Sequence, residues 1–287
     1  MIPPRVSGVQ RGTRSASRSA LLLAGGGIVL AGYLLGREAF ELASAGLAAL
    51  GFTAGAASIA PLPLYLALIA GALWFAVRVV GRPADPLPAL TVSSRTLTQI
   101  WAGLLVAGLL VAVAYGVAVT AGWAGIERAS PDDRAASGLV AYAILYAGIA
   151  LNEELAFRGA LLGIVSRWGT PALGVVASSV LFAAVHVLGV ATWERLAGIF
   201  LLGVLLALLR IRSGSLWPAI ACHWGFHVFS YAAVLGVLPA RLVLHGPVLL
   251  VGRADQLDAG LVSIVALAAA TVCAALVTRA GRQQGHR

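Results

Sequence analysis

Long apolar runs recur along the whole chain, and each is about 20 residues long, the length with which an α-helix crosses a lipid bilayer. The composition agrees, because 60% of the residues are hydrophobic and only 11% are charged, whereas about 25% of a soluble domain is charged. The runs are continuously apolar and do not alternate as the strands of a membrane β-barrel do. The sequence therefore predicts an all-α polytopic membrane protein.

The apolar runs predict about eight transmembrane helices, at residues 19–35, 59–80, 98–122, 138–165, 170–190, 196–209, 216–238 and 261–278. We expect a single transmembrane domain over residues 19–279, with a cytoplasmic segment at 1–18 before it and a cytoplasmic tail at 280–287 after it. The semi-polar stretch 36–58 is interpreted as an interfacial or re-entrant helix. Cys222 and Cys273 lie in apolar runs without a ligand spacing, so we predict two small buried residues and neither a disulfide nor a metal pair.

The net charge is +9, and the chain contains arginine but no lysine. The arginines cluster at the ends of apolar runs, which indicates membrane topology and not a nucleic-acid partner. With a cytoplasmic N-terminus and eight spans, most of them fall on cytoplasmic ends: Arg5, Arg11, Arg14, Arg18, Arg78, Arg82, Arg95, Arg167, Arg210, Arg212, Arg279, Arg282 and Arg287. By the positive-inside rule, the sequence predicts a multi-pass protein of the cell membrane with both termini in the cytoplasm.

Three charged residues interrupt the fourth apolar run, in the stretch Asn-Glu-Glu-Leu-Ala-Phe-Arg-Gly at 152–159. A charge at mid-bilayer costs about 2.5–3.5 kcal/mol on insertion scales, so such residues face a protein interior and are candidates for function. Glu154 and Arg158 are four residues apart and are expected to pair on one helix face. Glu153 is rotated by about 100° from Glu154 and is left available for chemistry.

Histidines interrupt two later apolar runs. Phe182 and His186 share one face of the fifth predicted span, and His223 and His227 share one face of the seventh. A glutamate and a histidine can activate water for hydrolysis, and further imidazoles can donate to an oxyanion. The alternative is a Zn²⁺ ion with an open position for water, although the zinc-protease pattern His-Glu-x-x-His is absent.

Each of these groups also has a purely structural interpretation. The Glu154–Arg158 pair is typical of a packing clamp, and a lone histidine such as His186 is often a hydrogen-bonded structural residue. A helical His-x-x-x-His is weak evidence for metal on its own. The occurrence of all three groups in a chain so poor in charge favours one shared site.

The three groups resemble the motifs of the CPBP family of intramembrane proteases, also called the CAAX-protease and bacteriocin-processing, Abi or type II CAAX endopeptidase family. The resemblance covers residues 138–234, and the segment Gly-Ser-Leu-Trp-Pro-Ala at 214–219 supports it. It implies eight membrane helices around a catalytic cavity open to the cytosol. It also implies endopeptidase activity on a membrane-associated protein or peptide, including lipid-modified CAAX proteins.

Carried over by position, the resemblance implies a catalytic set of Glu153, Glu154, His186, His223 and His227, with Arg158 and Phe182 structural. Glu153 is then the general base, and His186 shares its water. Glu154 and Arg158 hold the first motif, while His223 and His227 stabilise the oxyanion.

The family usually has Asn or Asp where this chain has His227. A neutral histidine can still donate a hydrogen bond, but it is also the better zinc ligand. We therefore expect no required cofactor and keep zinc as the alternative, with Glu154, His186, His223 and His227 as its ligands.

Two other classes of function remain open from the sequence. One is a non-catalytic membrane scaffold or immunity protein with the same fold. The other is a proton-coupled transporter, because intramembrane glutamate and histidine can relay protons. A transporter predicts internal repeats, which the sequence does not show clearly.

Overall fold

The computed structural model describes residues 8–80, 87–130, 133–187, 192–237, 239–253 and 257–284. Helices dominate these residues, and two short strands accompany them. The helices are α1 (Gly8–Ala49), α2 (Ala54–Ile59), α3 (Leu62–Val80), α4 (Thr96–Thr120), α5 (Asp133–Glu154), α6 (Leu162–Trp168), α7 (Pro171–Ala184), α8 (Trp193–Ser213), α9 (Trp217–Leu235), α10 (Val248–Val251) and α11 (Leu261–Gln284). The strands are β1 (Ala124–Arg128) and β2 (Ala240–Leu244), and a π-helical segment, Leu155–Leu161, joins α5 to α6.

The predicted all-α membrane architecture is confirmed. Within the described part of the chain, five helical stretches are long and apolar enough to cross a membrane: Ser19–Ala49, Ala54–Val80, Thr96–Thr120, Arg134–Trp168 and Trp193–Ser213. Helix α7 and the first part of α11 are apolar but shorter. The count of eight spans therefore stays a prediction.

The prediction of a separate helix at 36–58 is wrong. Helix α1 continues without a break to Ala49, and α2 begins only at Ala54. The continuation is favoured by an ion pair of 2.8 Å between Arg37 and Glu41, one helical turn apart, a spacing that stabilises helices. The fifth predicted span is also shorter than expected, because α7 ends at Ala184. Residues 188–190, which the prediction included, lie outside the described residues.

Strands β1 and β2 form an antiparallel ribbon with Ala124 opposite Leu244 and Arg128 opposite Ala240. Glu127 and Arg241 are direct cross-strand partners, and their side chains form an ion pair of 3.2 Å. Neither strand of this ribbon was predicted from the sequence. The ribbon joins the segment after α4 to the segment after α9, so the C-terminal ends of these two helices lie on the same side of the molecule.

The buried apolar residues form two main clusters. The first joins α1 and α3 to the π-helical segment and α6, with Tyr33, Ile69 and Phe157 among its buried members. The second joins α4, α8, α9 and α11, with Leu205 and Phe226 at its centre. Phe182, one of the predicted site residues, belongs to the first cluster.

Helices α4 and α9 approach each other closely at Gly103. A Cβ atom at this position would lie 2.3 Å from the carbonyl oxygen of Pro218 and 3.0 Å from the backbone nitrogen of Cys222. Backbone atoms cannot move aside as a side-chain end can, so the contact requires glycine. Cys222 is buried here as predicted, whereas Cys273 on α11 is exposed and that part of the prediction is wrong.

We predict that Gly103→Ala lowers the free energy of unfolding in detergent by about 1–3 kcal/mol, the usual cost of overpacking. Gly116→Ala on the same helix is the matched control, because nothing lies within 4 Å of its added methyl group. Thermal unfolding of the purified variants measures the difference. Equal stability of the two variants would contradict the close approach of α4 and α9.

Candidate active site

The first predicted motif lies where the α-helical backbone changes to π-helical. Helix α5 ends at Glu154, and the next seven residues, Leu155–Leu161, are π-helical. Short π-helical segments inside α-helices occur frequently at functional sites. Arg158 nevertheless reaches back, and its NH1 donates to Glu154 Oε1 at 2.8 Å. The predicted pair is therefore present, and both side chains are fully buried.

Glu154 also holds the third motif. The same Oε1 atom lies 3.0 Å from Nδ1 of His223 on α9. A carboxylate accepts, so Nδ1 of His223 carries the proton of this hydrogen bond. The guanidinium of Arg158 in turn lies 4.2 Å from the ring centroid of Phe182 on α7, a cation–π contact. One carboxylate and its arginine thus connect three helices.

Glu153 lines the cavity described below and Glu154 does not, which agrees with the rotation of about 100° between adjacent helical residues. Oε1 of Glu153 accepts a hydrogen bond of 2.8 Å from the hydroxyl of Tyr33 on α1. His186 Nε2 lies 3.8 Å from the same oxygen, and His223 Nε2 lies 3.7 Å from Oε2. Both distances are too long for direct hydrogen bonds. The carboxylate therefore faces two imidazole nitrogens without being bonded to either.

His186 lies one turn beyond Phe182, in the turn that ends α7. Its Nδ1 is 2.7 Å from the carbonyl oxygen of Phe182. Because a carbonyl only accepts, Nδ1 donates, and a neutral ring then has its free lone pair on Nε2, towards Glu153. The rings of Phe182 and His186 meet edge to face at 5.0 Å. The shared face that the sequence predicts for these two residues is present.

His227 lies one turn beyond His223, with 5.3 Å between the ring centroids. Its ring packs against Tyr146 of α5 at 4.3 Å. Tyr146 stacks on Tyr142, and Tyr142 stacks on Tyr231, at 4.3 and 4.1 Å. His227 therefore belongs to an aromatic wall, and it contacts the group around Glu153 through His223.

One cavity of about 200 Å³ joins these side chains. It is lined by Tyr33, Arg37, Phe40, Glu41, Tyr65, Tyr146, Ile149, Glu153, Phe182, His186, Arg195, Ile199, Leu202, His223 and His227. We call it the active-site cavity. The exposed side-chain fraction rises along it, from 3% at His223 and 7% at Glu153 to 22% at His186 and 53% at Glu41. The cavity is therefore closed around Glu153 and open near Glu41.

Of the four residues in the zinc alternative, His186, His223 and His227 line the cavity and Glu154 does not. Among the residues that the structure describes, no group of three or more His, Cys, Asp or Glu side chains is placed to hold a metal ion. Glu154, the only carboxylate of the predicted set, does not line the cavity and already accepts from Arg158 and His223. Both hydrogen bonds end on Oε1, so a ligand role for Glu154 would need its other oxygen to reach a metal from outside the cavity.

Tyr33 is the residue that sequence reasoning missed. It is 1% exposed, and its ring packs edge to face on Phe157 at 5.1 Å. Tyr33 lies two residues before the end of the first predicted span, where tyrosine is common in membrane helices, so the sequence offered no distinct signal. Arg37, one turn further along α1, was missed in the same way. Its NH1 donates to the carbonyl oxygen of Val185 at 2.8 Å and so fixes the turn that carries His186.

Residues 135–229 match the family model described as Type II CAAX prenyl endopeptidase Rce1-like. The match begins near the start of α5 and ends on α9 beyond His227, so it includes all three motifs. No curated protein and no solved structure matches the chain.

We predict that Arg158→Met lowers the free energy of unfolding by about 3–5 kcal/mol, because it leaves the buried Glu154 carboxylate without its counter-charge. The double variant Glu154→Gln/Arg158→Met removes both charges and is expected to regain part of this loss. Arg212→Met, at the exposed end of α8, is the matched control and should have little effect. Thermal unfolding in detergent gives the comparison, and a double variant no more stable than the single one would refute the pairing.

Proposed function

We propose that this chain, which carries an Rce1-like type II CAAX prenyl endopeptidase domain, is an intramembrane endopeptidase that hydrolyses a peptide bond with water activated by Glu153. The family match supports a CAAX-type intramembrane protease. The substrate is then a protein or peptide associated with the membrane, with lipid-modified proteins among the candidates.

One observation carries the proposal: the Glu153 carboxylate faces two imidazole nitrogens at 3.7 and 3.8 Å inside a cavity of an otherwise apolar membrane protein. Hydrolysis needs a base, a second group to orient water and a donor for the oxyanion. The residues around this cavity offer each of these groups.

In the proposed mechanism the attacking water donates one hydrogen to Glu153 and the other to Nε2 of a neutral His186. Both are acceptors in this arrangement, so the oxygen lone pair of the water is directed away from them and towards the substrate carbonyl. Glu153 takes the proton as the carbon–oxygen bond forms. The same proton then passes to the leaving nitrogen as the carbon–nitrogen bond breaks, which releases a carboxylic acid and an amine.

His223 is proposed as the donor to the oxyanion. Its Nδ1 proton is committed to Glu154, so Nε2 donates only when the ring carries both protons. His227 extends the cavity wall beside His223 and, with a proton on a nitrogen that faces the substrate, supplies a second donor.

Tyr33 is proposed as a positioning residue. Its hydroxyl donates to Glu153 Oε1 at 2.8 Å. This hydrogen bond from α1 holds the carboxylate in position. Glu154 and Arg158 act on His223 in the same way. We propose that the reaction needs no metal, because Glu154, the carboxylate of the alternative zinc set, does not line the cavity.

Glu153→Gln is expected to lower proteolytic activity at least about 100-fold, since general base catalysis contributes about 10²–10⁴. Glutamine keeps the shape and still accepts from Tyr33, so the fold should persist. Mass spectrometry of membrane peptides from cells with the wild-type protein and with each variant measures the cleavage products. Glu38→Gln, on an exposed site of α1, makes the same charge change and should leave the products unchanged.

A processing or immunity phenotype that survives Glu153→Gln with unchanged peptides would favour the non-catalytic scaffold. A pH-gradient-driven uptake by proteoliposomes, lost in Glu153→Gln, would favour the transporter.

We expect purified, active protein to contain no stoichiometric metal and to keep its activity after dialysis against a strong chelator. Elemental analysis and a cleavage assay before and after dialysis make the measurement. One bound zinc ion per chain, with activity lost on chelation and restored by zinc, would overturn the metal-free mechanism.

A further inference from the structure

The mouth of the active-site cavity lies at one defined end of the helices. On α1 the cavity is lined first by Tyr33 and then, towards the C-terminal end of the helix, by Arg37 and Glu41. On α8 it is lined by Arg195, in the first turn, and His186 lies in the turn just after α7. Glu41 is more exposed than His186, Glu153 or His223. The mouth therefore lies at the C-terminal end of α1, where α7 ends and α8 begins.

This end of the molecule is the one that carries the β1–β2 ribbon. Helices α1 and α3 run antiparallel, because Gly25 packs on Val80 and Gly36 packs on Tyr65. Ile164 of α6 lies beside Gly25 of α1, and a buried cluster that includes Leu162 and Ala207, with Ile211 packed on it, joins α6 to the C-terminal half of α8. Helix α8 is followed directly by the start of α9, where Leu216 N donates to the carbonyl oxygen of Ala89. Helices α4 and α9 both start from there and run in parallel to the ribbon. We call the two ends the ribbon face and the opposite face.

The two faces differ sharply in charge. The described residues place ten arginines and no acidic residue at the helix ends of the opposite face: Arg11, Arg14, Arg18, Arg78, Arg95, Arg167, Arg210, Arg212, Arg279 and Arg282. At the ribbon face they place six arginines and six acidic residues: Arg37, Arg128, Arg134, Arg195, Arg241, Arg253, Glu38, Glu41, Glu127, Asp133, Glu194 and Asp258. An excess of arginine marks the cytoplasmic ends of membrane helices.

From these two observations we infer that the active-site cavity opens on the non-cytoplasmic face of the membrane. The cavity opens at the ribbon face, and the arginine excess puts the opposite face in the cytoplasm. Two expectations from the sequence, a cytoplasmic N-terminus and a cavity open to the cytosol, cannot both hold in this fold. The arginine distribution is a property of this chain, whereas the cytosolic opening was implied only by the resemblance. We therefore keep the cytoplasmic N-terminus.

The inference rests on the proposed function where it concerns the substrate. An endopeptidase with this orientation acts on peptide bonds presented at the outer side of the membrane. The substrates are then exported peptides, or the outer ends of membrane-inserted segments. A protein lipid-modified in the cytosol would meet the closed end of the protein and not its cavity.

Cysteine labelling tests the orientation without reference to catalysis. In a background of Cys222→Ala and Cys273→Ser, single cysteines are introduced as Trp193→Cys at the ribbon face and Trp168→Cys at the opposite face. Both tryptophans are exposed, at 84% and 51%. A membrane-impermeant maleimide is applied to intact spheroplasts and again after permeabilisation. We expect Trp193→Cys to be labelled in intact spheroplasts and Trp168→Cys only after permeabilisation, and the reverse pattern overturns the inference.

A second pair, Glu41→Cys and Arg212→Cys, repeats the test should either tryptophan variant fail to accumulate in the membrane. All labelling is repeated with Glu153→Gln in the background, and the pattern should not change.

Cleavage in oriented vesicles tests the substrate side. A soluble quenched peptide that detergent-solubilised wild-type protein cleaves, and Glu153→Gln does not, is added to right-side-out and to inverted vesicles. Cleavage by right-side-out vesicles alone supports the inference, and cleavage by inverted vesicles alone overturns it. Failure of every peptide in detergent counts against the proposed protease and leaves the labelling result, which decides the orientation, unaffected.

Discussion

A single carboxylate oxygen, Oε1 of Glu154, accepts from both Arg158 and His223, and the rest of the site depends on this junction. It joins the end of α5 to α9, and through the contact of Arg158 with Phe182 it reaches α7. All three groups are buried, so a lost partner would leave an uncompensated charge in an apolar interior. The junction fixes His223, and it leaves the adjacent Glu153 to face the cavity.

Much of this arrangement could be predicted from spacing along helices. Glu154 pairs with Arg158, and His186 and His227 each lie one turn from the aromatic or imidazole ring that the sequence places beside them. These predictions succeed because side chains four residues apart on a helix are neighbours, and this does not depend on the surrounding fold. Which helices then come together is decided by packing over long distances in the chain, and only the resemblance to a protease family carried that information.

Other features could not be predicted from local sequence. The π-helical segment after Glu154 has no composition that distinguishes it from an ordinary apolar helix. The strand Ala124–Arg128 becomes a strand because a partner arrives 116 residues later, at Ala240. Tyr33 looks like any aromatic residue of an apolar run, and its role depends on a carboxylate 120 positions away. Helix α1 extends past Leu35 because the Arg37–Glu41 pair lets polar residues continue it.

The hydrogen bond from Tyr33 has a consequence for how the chain can be divided. The part that matches the protease family model, residues 135–229, contains the proposed base Glu153 and its neighbouring imidazoles, but the first helix supplies the hydroxyl that bonds to Glu153 and part of the cavity wall. A fragment cut to the recognisable part would expose its glutamate to lipid. The first helix, which lies outside the matched residues, is therefore an integral part of the proposed reaction centre.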